Sequence, residues 1–248
     1  MAPVLQKKLP EDMAVSRPLP GVRPETGPWL RVDDAYAAQM ARREALLADA
    51  ADEVLYLDPA ARPAAEELLG VVLAAVPGLG YAVHGDHVTC PDGRAVAVDV
   101  AAPMRTLGRL CQADFVIMQK QGGAHVLTGA VLCFPASWRL RDKAGRALIP
   151  IHAEVDEYDA GLAARVQRLF DGVQVGRPLW RFNQLWYEDP ELHQPRSAHA
   201  PRRVGAGSCA GPYYRTERQT ILRLPKTRAC VFVIHTLVLR AEDVPDLR

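Results

Sequence analysis

The sequence lacks any CxxC pair, and its five cysteines (Cys90, Cys111, Cys133, Cys209 and Cys230) are widely spaced. An odd, scattered set argues against a disulfide scaffold and against an iron–sulfur cluster held by this chain. Cys111, Cys133 and Cys230 stand inside apolar runs, where a cysteine behaves as a small buried hydrophobe. No stretch approaches 18 apolar residues without a charge, so no transmembrane helix is expected. The opening MAPVLQKKLPEDMAV has no apolar core of the secretory kind. A reducing cytoplasm fits these features. An excess of either charge is also missing: 30 Lys and Arg face 29 Asp and Glu, a formal net charge of +1. Without a bulk positive field, nucleic acid is not an expected partner. There is no GxGxxG in a strand–helix context, no HExxH and no GxSxG, so nucleotide, zincin and serine-elbow chemistries have no anchor.

What is present is an ordinary globular composition over 248 residues, 49% apolar and 24% charged. Pro10, Pro18, Pro20, Pro24 and Pro28 make residues 1–28 an extended arm, leaving 29–248 as a single domain. DDAYAAQMARREALLADA reads as a helix capped by Asp33 or Asp34, with Tyr36, Met40 and Leu47 at helical spacing. VLYL reads as a short strand ended by Asp58 and Pro59. Pro63 to Val76 reads as a helix, with Leu68, Leu69, Val72 and Val76 on one side and Pro77-Gly78 as its stop. Residues 78–94 are turn-like, AVAVDV is a short strand, and Leu107 to Met118 is a helix or a packed irregular segment.

The second half is rich in strands. AHVLTGAVLCF carries β-branched valines and breaks at Pro135. Asp142 to Gly145 is a turn. Tyr158 to Phe170 is the strongest helix, with Leu162, Val166, Leu169 and Phe170 as its apolar stripe and Asp156 as its cap. Residues 190–212, with four prolines, form a long loop of the kind that is functional or disordered. RTERQTILRLPKTRACVFVIHTLVL reads as two strands joined near Pro225-Lys226-Thr227, the second of them central. This order of elements predicts an α+β fold.

Seven histidines are scattered (His84, His87, His125, His152, His193, His199 and His235). Only His84 and His87 are close in sequence, and a zinc site there would need two further ligands from afar. His235 alternates with Phe232, Ile234 and Leu237 and reads as a satisfied strand histidine. The informative pattern is an ordered set of blocks: TGAVLCFPASWRL, IPIHAEV before the long helix, GRPLWRFN, ELHQP and RTERQTILRLP. Together, from about Arg94 to Leu237, they resemble the haem-dependent oxidative N-demethylase-like family.

The resemblance implies a PAS-like antiparallel sheet with flanking helices around a haem b pocket. It also implies oxidative removal of a methyl group from a small secondary amine such as dimethylamine, giving formaldehyde, with dioxygen as oxidant. Electrons would come from a separate reductase, since the sequence has no flavin, nicotinamide or cluster motif of its own. His152, in IPIHAEV, is implied as the axial iron ligand, since imidazole suits both iron states and is tuned through its other nitrogen. Glu154 and Asp156 stand near enough in sequence to be that partner. His193, in ELHQP, has three readings: a distal acid–base group, a haem-edge contact or a plain loop histidine.

Arg215, Glu217 and Arg218 form the RTER cluster. On a strand Arg215 and Glu217 share one face and Arg218 takes the other. Arg215 could steady bound dioxygen and Glu217 could hold a substrate amine; an edge-strand ion pair is the plainer reading. Arg139 and Arg181 each follow a tryptophan (Trp138 and Trp180) and could neutralise propionates, or simply snorkel. Asn183 fits the family pattern, whereas Gln184 stands where that pattern has tryptophan. The other function compatible with these residues is a haem or small-ligand sensor, or an accessory subunit of such an oxidase, because PAS-like folds often bind without catalysing.

Overall fold

The computed structural model describes residues 3–13, 21–148, 160–197, 200–201 and 210–244. The fold is α+β. One sheet of eight antiparallel strands forms its frame, in the order β1-β8-β10-β11-β6-β7-β2, with β9 pairing beside β8 on the edge of β10. Its longest members are β10 (Tyr213–Arg223) and β11 (Cys230–Arg240), a hairpin in full register from Tyr213↔Arg240 to Arg223↔Cys230. Their β-branched and aromatic residues suit a pleated surface buried on both sides. The turn between them is fastened by Glu67, whose carboxylate accepts the backbone N–H groups of Lys226 and Thr227 at 2.6 and 2.8 Å. β11 lies at the middle of the sheet, as its apolar sequence predicts.

β6 (Asp114–Gln121) and β7 (Ala124–Val131) form the neighbouring hairpin. Their two-residue connection is Gly122-Gly123, and Gly122 takes φ +59, which glycine alone adopts without strain. The edge strands are β2 (Leu55–Leu57), which pairs with β7, and β1 (Arg23–Pro24), which pairs with β8 (Leu179–Phe182). β9 is Leu185–Tyr187. β1 belongs to the proline-rich arm, so the arm contributes a strand to the sheet. Gln6, also in the arm, is buried and exchanges hydrogen bonds with the backbone of Val238.

Helices lie on both faces. One face carries α1 (Tyr36–Asp49), α3 (Arg62–Ala75) and α4 (Pro103–Leu110) over Phe115, Ile117, Val131, Val231 and Val233. Gly108 permits the close seat of α4: a Cβ there would stand 2.7 Å from Val131 Cγ2. The short α2 (Ala51–Val54) leads into β2. The other face carries α5 (Leu140–Lys143) and α6 (Ala160–Gly172), with Leu140, Phe170 and Val173 over Val116, Met118, Leu127, Ile221 and Ile234. A small sheet of β3 (Ala82–His84), β4 (His87–Thr89) and β5 (Ala95–Ala97) stands apart.

Several boundaries depart from the sequence reading. Leu107–Met118 is not one element: α4 ends at Leu110 and β6 begins at Asp114, where the β-branched run Val116-Ile117 pairs with β7 and β11. α1 is not capped by an Asp side chain. Ala35 occupies the N-cap, and Asp33 Oδ1 accepts the Ala35 N–H instead, because Asp33 is held by tertiary partners. Val54 closes α2 rather than opening the strand. The turn-like stretch 78–94 contains two short strands.

Candidate functional site

The sheet face beneath α5 and α6 is apolar at one end and polar toward the other. Strand alternation puts Arg215, Glu217, Gln219 and Ile221 of β10 on this face, with Val238, Thr236, Ile234 and Phe232 of β11 directly opposite. On the other side of β10, Arg181 of β8 pairs with Gln219. The result is a strip of polar side chains on a core surface.

Glu217 is its centre and is only 5% exposed. Its Oε2 accepts from Asn183 Nδ2 at 2.9 Å and from Gln219 Nε2 at 2.9 Å. Asn183 is fixed in turn, since its Oδ1 accepts the Glu217 N–H at 2.8 Å. Arg181 Nη1 donates to Gln219 Oε1 at 2.9 Å, so a guanidinium is relayed through an amide to the carboxylate. No hydrogen bond is made to Glu217 Oε1 by the described residues. Across the strand, Thr236 is 1% exposed and its Oγ1 has no partner among the described residues. A carboxylate with one oxygen clamped by two amides and the other free can receive an N–H donor in a fixed direction.

Arg215 shares the face but has a different environment. It is 1% exposed, and its guanidinium donates to the carbonyls of Glu191, Leu192 and Phe134 at 3.3, 3.0 and 2.8 Å. It therefore pins the loop that carries His193. His193 Nδ1 lies 2.8 Å from the carbonyl of Cys133. A carbonyl only accepts, so Nδ1 donates and Nε2 is the ring nitrogen left without a partner among the described residues. The next residues are zipped to the loop after β7: Gln194 N donates to Pro135 O, and Ser137 N to Gln194 O. Ser137 takes φ +64 at this junction, a strained value for a residue with a side chain.

Arg218 is not part of this strip. It crosses to the other face, donates to Asp12 at 2.8 Å and Glu25 at 2.7 Å, and stacks 3.2 Å over the Trp180 ring. There it fastens the arm to the sheet. Trp138 and Arg139 are half-buried at the start of α5; Trp138 packs on the apolar end of the face, and Lys143 stands 4.6 Å over its ring. The Arg139 carbonyl accepts the Asp142 N–H at 3.3 Å, and its side chain makes no hydrogen bond or ion pair with the described residues. His152 lies outside the described residues, as do Glu154 and Asp156. The flanking Leu148 is buried against this same face.

The structure thus brings Arg181, Asn183 and Glu217 together, places Arg215 and His193 at one end, and sends Arg218 away. Two members of the strip were missed. Gln219 was discoverable, since it continues the alternation from Arg215 and Glu217. Thr236 was not, because its place opposite Glu217 depends on strand register. Elsewhere a groove of about 180 Å³, lined by Leu55–Leu57 and Ala101–Arg105, contains none of the expected residues. Among the described residues no group of three or more His, Cys, Asp or Glu is arranged to hold a metal, and no helix is long and apolar enough to cross a membrane. Residues 23–247 match the family described as haem-dependent oxidative N-demethylase, alpha subunit-like. That match spans most of the chain and agrees with the sequence blocks read above, and the chain belongs to this family.

Proposed function

We propose that this chain is a haem-binding, PAS-like domain over residues 29–248 that oxidatively demethylates a small secondary amine such as dimethylamine. The observation that carries the reading is Glu217, a buried carboxylate with one oxygen oriented by amides and the other open. The residues fit a haem group in three respects. His193 keeps Nε2 unengaged by the described residues, Arg139 is a half-buried cation that suits a propionate, and Thr236 leaves a buried hydroxyl without a partner among the described residues. His152 is the residue that would hold the haem iron, and the family's haem dependence supports it.

Haem b, when bound, supplies the iron at which dioxygen is activated. The protein's part is orientation and proton handling. Glu217 Oε1 accepts an N–H of the amine and holds its methyl group in one direction, while Asn183 and Gln219 keep the carboxylate from rotating. Arg181, acting through Gln219, keeps positive charge near it. His193 Nε2 accepts or returns a proton. Arg215 gives both terminal nitrogens to backbone carbonyls and so positions the His193 loop, while its buried Nε has no partner among the described residues. The overall change consumes dioxygen, two electrons and two protons and yields a primary amine, formaldehyde and water. A separate reductase is proposed as the electron source. A cytoplasmic setting is proposed too, and the free cysteines Cys90, Cys111, Cys133 and Cys230 support it.

The commitment of Arg215 also favours a second reading, a non-catalytic haem or small-ligand sensor or an accessory subunit. One experiment separates them. Purified protein loaded with haem should show a bound-haem Soret band at one haem per chain. His152→Ala should alter that band while His193→Ala keeps it. Addition of dimethylamine should shift the spectrum of wild type but not of Glu217→Gln, and formaldehyde should appear once electrons are supplied. A spectrum that stays that of free haem overturns the reading. Haem binding without formaldehyde, under supplied electrons, selects the sensor.

A further inference from the structure

The C-terminal half of α6 sits on the apolar end of the sheet face through an unusual set of polar contacts. His125 of β7 is 1% exposed beneath it. Gln167 of α6 reads this one residue twice: its Oε1 accepts the His125 backbone N–H at 3.4 Å, and its Nε2 lies 2.9 Å from His125 Nδ1. Only one arrangement avoids a donor facing a donor. The amide nitrogen donates to a bare Nδ1, and the ring proton sits on Nε2. That Nε2 faces Cys230 Sγ at 3.8 Å, and the thiol in turn donates to the Phe170 carbonyl at 3.3 Å.

A second proton on His125 has no place here. On Nδ1 it would meet the Gln167 NH₂ group. Turning the amide over would relieve that contact but would set the same NH₂ against the His125 backbone N–H. Either way a buried donor loses its acceptor, at a cost in the docked state that the undocked helix does not bear. The charged groups around the ring come from every element packed on it. Asp171 of α6 pairs with Lys120 of β6 at 2.6 Å, and Arg223 of β10 donates to the Phe170, Asp171 and Val173 carbonyls. On β11, Cys230 is a neutral thiol, and Arg228 in the adjoining turn acts on it electrostatically.

We propose that His125 and Gln167 form a proton-sensitive latch that keeps the C-terminal half of α6 docked at neutral pH and releases it on acidification. This is separate from haem binding and holds whatever ligand the polar strip takes. Burial depresses the His125 pKa below its ordinary value; Arg223 and Lys120 add to this, and Asp171 and Gln167 oppose it. The sign follows. A depressed pKa means that docking is fully supported above the ordinary imidazole value of about 6.5. It weakens as pH falls from there toward the lower docked value.

Cys230 reports the state directly, because α6 covers it. The test is labelling by a dithiopyridine reagent between pH 7.5 and 5.5, read cysteine by cysteine by mass spectrometry. Cys90, buried in the opposite core, serves as the control for global unfolding. In wild type the Cys230 rate should rise severalfold relative to Cys90 as pH falls. Gln167→Glu should reverse the trend, since a carboxylate accepts from both the backbone N–H and a protonated Nδ1. His125→Gln should flatten it. A Cys230/Cys90 ratio independent of pH in wild type, or the same acid release in Gln167→Glu, overturns the proposal.

Discussion

Two carboxylates, Asp114 and Glu217, are buried in the same sheet two strands apart, and they are treated in opposite ways. Asp114 is 1% exposed and saturated. Its Oδ1 pairs with Arg43 at 2.6 Å and accepts the Cys133 N–H at 2.8 Å, while Oδ2 accepts the Phe134 N–H at 2.9 Å. Glu217 has no ion pair among the described residues, has both its donors on one oxygen, and keeps the other open. A saturated carboxylate ties elements together and has nothing left to bind with. A half-satisfied one is costly in a core and worthwhile only if something else completes it. The two are also connected. Asp114 holds the N–H groups of Cys133 and Phe134, whose carbonyls accept from His193 and Arg215. The closed site is therefore the foundation of one edge of the open one.

The strongest way to break this comparison is Asp114→Ala. It leaves the Arg43 guanidinium buried without a counter-charge and two N–H groups without acceptors, so a loss of about 3–5 kcal/mol is expected, measured by denaturant unfolding. A loss below about 1 kcal/mol would place this pair among surface-like bridges and remove the contrast. Arg215→Met should cost less, about 2–3 kcal/mol, because three carbonyls lose a shared donor while the apolar stem is kept. If the contrast is right, this variant should also loosen the His193 loop, read as faster proteolysis near residues 190–197. Glu217→Gln should change stability by no more than about 1 kcal/mol, yet weaken amine binding at least tenfold, or roughly 1.4 kcal/mol. Equal losses in both would make Glu217 a second structural carboxylate.

The smallest effect concerns a third, intermediate carboxylate. Asp33 accepts from His235, Gln6, Gln112 and the Ala35 N–H. Burial alone would raise its pKa, but the His235 hydrogen bond and charge, with the amide and backbone donors, bring it below the ordinary value. The stability it contributes is thus present above about pH 4 and lost as pH falls through the lower folded value. Asp33→Asn should make acid unfolding less steep below pH about 4 and leave the neutral range nearly unchanged. An unaltered acid limb would show that Asp33 is not linked to folding.

Much of this protein was legible as a string of residues. The nearly continuous apolar run ACVFVIHTLVL identified the central strand, because a strand buried on both faces has little room for polar side chains. Pro63 and Pro77-Gly78 bounded α3 within one or two residues, because proline and glycine act on the local backbone. The parity of RTER assigned Arg215 and Glu217 to one face and Arg218 to the other before any partner was known. The ordered blocks around Trp138, His152, Asn183, His193 and Glu217 were enough to name the family.

What the chain alone did not determine are the facts that depend on distant segments meeting. Whether Arg215 was free or spent rested on carbonyls 81 and 23 positions away, at Phe134 and Leu192. Asp33, one of the two candidate caps with Asp34, is instead drawn off by His235, 202 positions on. Thr236 faces Glu217 only because the β10–β11 hairpin has one register rather than the next, and a shift of one residue would turn it to the other face. Gln167 meets His125 only because α6 folds back over β7. Local propensity is encoded over a few residues and survives in the sequence. Which polar atom satisfies which is settled when the sheet closes, since burial makes every unpaired donor or acceptor costly and leaves few arrangements in which all but the functional ones are satisfied.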